Sequence, residues 1–114
     1  MPSNPEPGLD SNWKDRRRGT RLNSQVRIAI EWDESAAQSS RVEGVTRVVN
    51  AAGCMALLPQ ELSLDLRVRV ANLNVSPGEF IRGIVVWRGR QTPDGHEIGI
   101  EFAQSQIDFW GLQN

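Results

Sequence analysis

Five basic side chains lie within eight residues near the start of the sequence, and they are the residues best suited to ligand chemistry. They are Lys14, Arg16, Arg17, Arg18 and Arg21, with Asp15 as the only acid among them. Arginine forms forked, charge-assisted hydrogen bonds to phosphate oxygens and to the O6/N7 edge of guanine. The segment therefore predicts a site for a small anion, with a solvated basic tail as the alternative that charge alone leaves open.

The rest of the chain is acidic, and this limits the partners that the basic segment can have. The segment carries about +4, whereas the whole chain has a net charge of −1. Duplex DNA needs cations spread over a long footprint, which an acidic remainder does not offer. We therefore expect no DNA partner.

Few side chains are suited to catalysis or metal binding. Cys54 is the only cysteine and His96 the only histidine among 114 residues. No Cys/His cluster has the spacing of metal ligands, and neither residue has an evident catalytic partner. We expect no enzyme, no metal and no cofactor. The first twelve residues have no apolar run, and no apolar stretch reaches the ~18 residues of a membrane helix, so we expect a cytoplasmic protein without membrane insertion.

Alternating apolar residues predict an all-β domain. Residues 25–32 place Val26, Ile28, Ile30 and Trp32 on one face, which is typical of a half-buried antiparallel strand. Further strands are predicted at 44–50, 54–58, 66–72, 79–90 and 97–103, with a polar loop at 33–41 and a hairpin turn at 92–96. Strands at such spacing indicate a small closed barrel or a sandwich.

The two ends of the chain have their own predictions. Residues 1–14 are expected to form a disordered arm, and residues 15–112 the β domain. The aromatic residues near the C-terminus, Phe109 and Trp110, are predicted to plug one end of the sheet from a short helix or turn.

Two motifs taken together resemble the PilZ domain family. Arg17 and Arg21 match the family's Arg-x-x-x-Arg element before the first barrel strand, and Asn50 matches the first position of its Asp/Asn-x-Ser-x-x-Gly element. The pattern of residues 72, 82–87 and 97–102 fits as well. The resemblance implies a six-stranded antiparallel barrel that binds cyclic di-GMP, a bacterial second messenger, and signals to a protein partner.

The resemblance also implies roles for single residues. Arg17 and Arg21 would grip phosphates and guanine edges, Arg16 and Arg18 would add phosphate contacts, and Asn50 would complete the pocket on the barrel face. Two positions depart from the family pattern.

Ala52 stands in place of the serine and Met55 in place of the glycine. Two functions therefore remain open, a cyclic di-GMP receptor and a degenerate barrel that binds no nucleotide and acts as a protein interaction module. A barrel that binds single-stranded RNA is a third, which the acidic remainder disfavours.

Overall fold

Seven strands make up the part of the chain that the computed structural model describes, residues 22–106 and 108–111. The strands are β1 (Leu22–Asn23), β2 (Arg27–Ser35), β3 (Gln38–Asn50), β4 (Gly53–Leu58), β5 (Arg67–Asn72), β6 (Phe80–Thr92) and β7 (Gly95–Phe102). All strand pairs are antiparallel, and the described residues contain no helix. The predicted all-β class is confirmed.

The sheet closes on itself because β3 pairs with β2 on one side and with β4 on the other. From β2 the order continues through β5, β6 and β7 to β4, which returns to β3. The short strand β1 continues the line of β2, since both pair with β3, β1 at Val48 and Val49 and β2 up to Val45. Counting β1 and β2 as one position gives the six-stranded antiparallel barrel that the resemblance implied. Closure leaves few backbone groups without a partner strand.

Inward-facing side chains of alternate residues fill the barrel. Val26, Ile28, Ile30 and Trp32 are all buried, as their alternation predicted. Opposite them, Ile98, Ile100 and Phe102 of β7 are buried too. The alternating pattern therefore located the core correctly on both strands.

Residues 33–41 are not the polar loop that their composition predicted. β2 continues to Ser35 and β3 begins at Gln38, so only two residues form the turn between them. This hairpin extends beyond its neighbours, since β5 pairs with β2 only up to Glu31 and β4 with β3 only from Val45. Both faces of the extension are exposed to water. Its side chains are therefore polar, although its backbone forms paired strands and not a loop.

The two other turn predictions are confirmed. The β6–β7 hairpin turns after Thr92, whose hydroxyl accepts a hydrogen bond from Asp94 N, and Gly95 has a φ of 136° that suits glycine alone. At the C-terminus, the aromatic segment forms a turn and not a helix. Trp110 is buried in the core cluster, and Phe109 packs against it.

Candidate functional site

The turn between β3 and β4 carries Asn50, the one predicted site residue that the structure describes. Asn50 ends β3 and pairs with Gly53, which begins β4. Its side-chain oxygen Oδ1 accepts a hydrogen bond of 2.8 Å from Ala52 N and so fixes the turn. Because Oδ1 is committed to the turn, the amide group Nδ2 is the part of this side chain that is suited to a ligand.

The C-terminal segment holds the same turn in place by donating hydrogen bonds to the backbone carbonyls of the turn. Trp110 Nε1 donates to Asn50 O at 2.8 Å, Gln106 N to Ala51 O at 2.8 Å, and Phe102 N to Ala52 O at 2.7 Å. Three consecutive carbonyls are therefore satisfied from one segment.

The aromatic rings behind these bonds form a compact group. Phe102 stacks on Trp110 with ring centroids 5.7 Å apart, and Phe109 meets Trp110 edge-on at 4.8 Å. This group packs under the turn, so the position of Asn50 depends on residues about sixty positions further along the chain.

Gly53 allows the turn to lie directly against β7. A Cβ at this position would overlap the carbonyl oxygen of Ile100. Any side chain here would force β4 away from β7, so the glycine is required by packing. This glycine is not the one that the family motif calls for, which falls two residues later.

The two departures from the family pattern lie on and beside the outer wall of the barrel. Cys54 packs against the core and Ala56 lies within it, so Met55 between them faces outward. Met55 is half-buried and lies between Val48 on β3 and Gly99 on β7. Ala52 in the adjoining turn supplies no hydroxyl. This part of the wall is therefore apolar, with a methionine side chain standing on it.

The predicted arginines Arg16, Arg17, Arg18 and Arg21 lie outside the described residues. The register of β1 nevertheless locates the point from which they extend. Leu22 pairs with Val49, the residue before Asn50, and Arg21 directly precedes Leu22 in the chain. The basic segment therefore joins the barrel at the Asn50 end of β3. The predicted arm 1–14 and the predicted domain start at residue 15 also fall outside the described residues.

No protein-family model matches the chain, and neither a curated protein nor a solved structure matches it. The candidate site therefore rests on the sequence motifs and the geometry of this barrel.

Three arginines on the β3–β2–β5 side are paired with acids in a network in which three arginines and three carboxylates alternate. The contacts are Arg27–Glu43 at 3.7 Å, Arg41–Glu43 at 2.9 Å, Arg41–Glu31 at 3.1 Å, Arg69–Glu31 at 3.8 Å and Arg69–Asp33 at 3.1 Å. The hydrogen bond from Arg41 holds the pKa of Glu43 below its ordinary value. The charges balance, so this surface does not compete with the basic segment for an anion.

The described residues offer no sign of a metal site or a membrane anchor of the helical type. They contain no group of three or more His, Cys, Asp and Glu side chains placed to hold a metal ion. Within the same residues, no helix has the length and hydropathy to cross a membrane.

Two features of the site were missed in the sequence. The hydrogen bond from Trp110 to the Asn50 carbonyl gave no signal, because it joins a side chain to a distant backbone group. The second is the outward position of Trp87, which lies within the predicted strand 79–90 and is 46% exposed on the outer wall beside Gly99. Glycines leave space on the surface of a strand, so an aromatic residue close to glycines in paired strands is a signal that could have indicated the outward position of Trp87.

Because of the Cys54 thiol, the barrel is expected to lose stability as the pH rises through the alkaline range. Packing against the core raises the pKa of Cys54 to about 12, because burial disfavours the thiolate. In the unfolded chain the thiol ionises near pH ~8.5, so between these values only the unfolded state loses the proton. We expect the free energy of unfolding to fall by about 1.4 kcal/mol per pH unit in this range.

Urea denaturation at several alkaline pH values measures this slope. Cys54→Ala removes the thiol and is the matched control, because other titrating groups are unchanged. Equal pH slopes for the two proteins would show that the thiol ionises as readily in the folded barrel as in the unfolded chain.

Proposed function

We propose that this protein is a cyclic di-GMP receptor of the PilZ type, a non-enzymatic signalling protein of the bacterial cytoplasm. Arg17 and Arg21 would hold the phosphates and guanine edges, with Arg16 and Arg18 as further phosphate contacts. Asn50 would donate from its amide group at the barrel wall. The ligand would draw the basic segment onto the barrel and so create a surface for a protein partner.

The register of β1 is the observation that carries this proposal. It joins the basic segment to the barrel beside Asn50, so both motifs belong to one end of β3. Five extended residues reach about 17 Å. Three strand spacings, from β1 across β3 and β4 to β7, amount to about 14 Å. Residues 17–21 are therefore long enough to cover the outer wall on which a dinucleotide would lie.

A second candidate function is a barrel that binds no nucleotide and acts as an interaction module. Its specific support is Met55, whose side chain stands on the outer wall where the family has glycine. Ala52 adds to it, because the missing hydroxyl removes a hydrogen bond to a charged ligand worth about 1.5–3 kcal/mol.

Calorimetric titration of the full chain with cyclic di-GMP separates the two functions. A saturable heat of binding with cyclic di-GMP supports the receptor function, provided that linear guanine dinucleotides and guanine mononucleotides give no such heat. The absence of heat and of any thermal shift at high micromolar ligand would leave only the interaction module.

Restoring the family residues gives a sharper form of the same experiment. We expect Ala52→Ser combined with Met55→Gly to tighten binding about ten- to a hundredfold, because a hydroxyl contact is gained and the wall is cleared. The matched control is Val86→Ser, which removes an exposed apolar side chain from β6, outside the motifs. Unchanged affinity in the restored variant would place the ligand somewhere other than this wall.

A further inference from the structure

The C-terminal part of β6 extends beyond the end of β5, the strand that pairs with it on the side opposite β7. β5 pairs with β6 from Phe80 to Ile84, and two further bonds tie Val85 to the preceding loop, Val85 N to Leu66 O at 2.9 Å and Asp65 N to Val85 O at 2.8 Å. Among the described residues, residues 86–92 pair only with β7. We call residues 86–92 the β6 edge. A strand edge of this kind offers backbone donors and acceptors to another extended chain.

The β6 edge displays apolar surface next to positive charge. Val86 is 48% exposed and Trp87 46% exposed, and Arg88 and Arg90 follow them, both exposed. The β6 edge itself contains no acidic residue, and the neighbouring carboxylate of Glu97 on β7 accepts a hydrogen bond from Arg90 N at 3.0 Å. Arg88 contacts Glu61 at 3.8 Å, but both side chains are well exposed, and such a pair contributes little and exchanges readily.

The Trp87 ring is held in place before any partner arrives. It lies over two glycines, Gly99 on β7 and Gly89 on its own strand. A Cβ at Gly99 would approach Trp87 Cβ to 3.1 Å, and a Cβ at Gly89 would overlap the far end of the indole. One face of the ring is thus supported by backbone while about half of the side chain remains open. A fixed, exposed tryptophan loses little conformational entropy on contact, which is typical of residues that dominate an interface.

Charge disfavours two candidate occupants of the β6 edge. In antiparallel pairing of two copies about Gly89, Arg88 of each would face Arg90 of the other, and like charges in opposed positions are destabilising. The basic segment of this chain, residues 14–21, carries about +4 and would meet the same two arginines. Both occupants are disfavoured by repulsion, and that repulsion selects for an acidic one.

We infer that the β6 edge is a docking site for an extended acidic segment of a partner protein, which adds to β6 as a further strand. Its backbone would pair with the β6 edge, an apolar or aromatic side chain would lie beside Trp87, and its carboxylates would face Arg88 and Arg90. Residues 86–92 extend over about 23 Å and would take about seven partner residues. The β6 edge lies outside both ligand motifs and is tested with a peptide in the absence of nucleotide, so its failure and the failure of cyclic di-GMP binding are distinguishable.

Labelled peptides and the full-length protein test this inference. The probe is an acetylated, amidated peptide of alternating Glu and Val with one central Phe, and binding is followed by fluorescence anisotropy and by amide NMR shifts. We expect saturable binding, with the largest shifts at the β6 edge. The same peptide with Lys in place of Glu, and one N-methylated at alternate backbone nitrogens, should bind at least about tenfold more weakly.

Two variants assign the contacts. Arg88→Glu with Arg90→Glu, and separately Trp87→Ala, should each weaken binding by about tenfold or more. Arg27→Glu with Arg47→Glu makes the same change of charge on exposed residues of β2 and β3, and should leave the affinity within about twofold.

Three results would overturn the inference. The first is no binding of the Glu peptide, and the second is equal binding of the N-methylated peptide, which would reduce the contact to charge alone. The third is hydrogen-exchange protection of the amides of Arg88 and Gln91 in the unliganded protein. That result would mean that the N-terminal segment or a second copy already covers the β6 edge.

Discussion

Trp110→Ala is expected to lower the free energy of unfolding by about 3–5 kcal/mol, enough to leave a domain of this size barely folded. Trp110 is 4% exposed and packs against Phe102 and Phe109. Truncation therefore leaves a cavity at the end of the barrel and removes the donor to the Asn50 carbonyl. Urea denaturation followed by far-ultraviolet circular dichroism measures the change without depending on the fluorescence of the other tryptophans.

Trp110→Phe is the matched control for this effect. It keeps a six-membered aromatic ring in the core and removes the indole N–H together with the five-membered ring, so we expect a smaller loss of about 1–2 kcal/mol. The difference between the two variants measures the contribution of the retained aromatic ring. If Trp110→Ala unfolded at the same urea concentration as the parent chain, the aromatic segment would not be part of the cooperative barrel.

Arg21→Ala and Arg17→Ala are each expected to weaken cyclic di-GMP binding by about ten- to a hundredfold while leaving the barrel equally stable. Each loses charge-assisted hydrogen bonds to the ligand of about 1.5–3 kcal/mol. Calorimetry gives the affinity, and thermal denaturation without ligand checks the fold. Arg16→Ala and Arg18→Ala should have smaller effects, since these residues add only phosphate contacts.

Arg41→Ala serves as the control for loss of a positive charge. Arg41 is exposed and already paired with Glu31 and Glu43, away from the second motif. The Arg41→Ala substitution should leave the affinity for cyclic di-GMP unchanged. Equal weakening by Arg41→Ala and Arg21→Ala would indicate a general response to net charge and would remove the proposed role of Arg21.

The first long strand could be predicted from the sequence because its large apolar residues recur at every second position. Val26, Ile28 and Ile30 alternate with polar residues or alanine, and that spacing fixes both the strand type and the buried side. The β6–β7 hairpin was equally accessible, because Pro93, Asp94 and Gly95 have strong local turn preferences.

The β2–β3 hairpin and the outer wall could not be predicted in the same way. Residues 33–41 have water on both faces, so they lack the periodicity that identifies a strand. The ion pairs that order them, such as Arg69 with Asp33, join residues 36 positions apart. Asn50 was found from motif order alone, but its support by Trp110 depends on the closed topology.

The β3–β4 turn is anchored to the C-terminal segment through the peptide carbonyls of residues 50–52, an attachment that does not depend on which side chains stand at positions 51 and 52. Substitutions at these two positions can therefore change the recognition surface with little effect on folding, whereas Asn50 also fixes the turn with its own side chain. Under the proposed function, a variant at these positions that no longer binds cyclic di-GMP would be purified and would denature thermally like one that does. Binding and non-binding variants of this barrel would have to be distinguished by ligand titration, because neither yield nor melting temperature would differ.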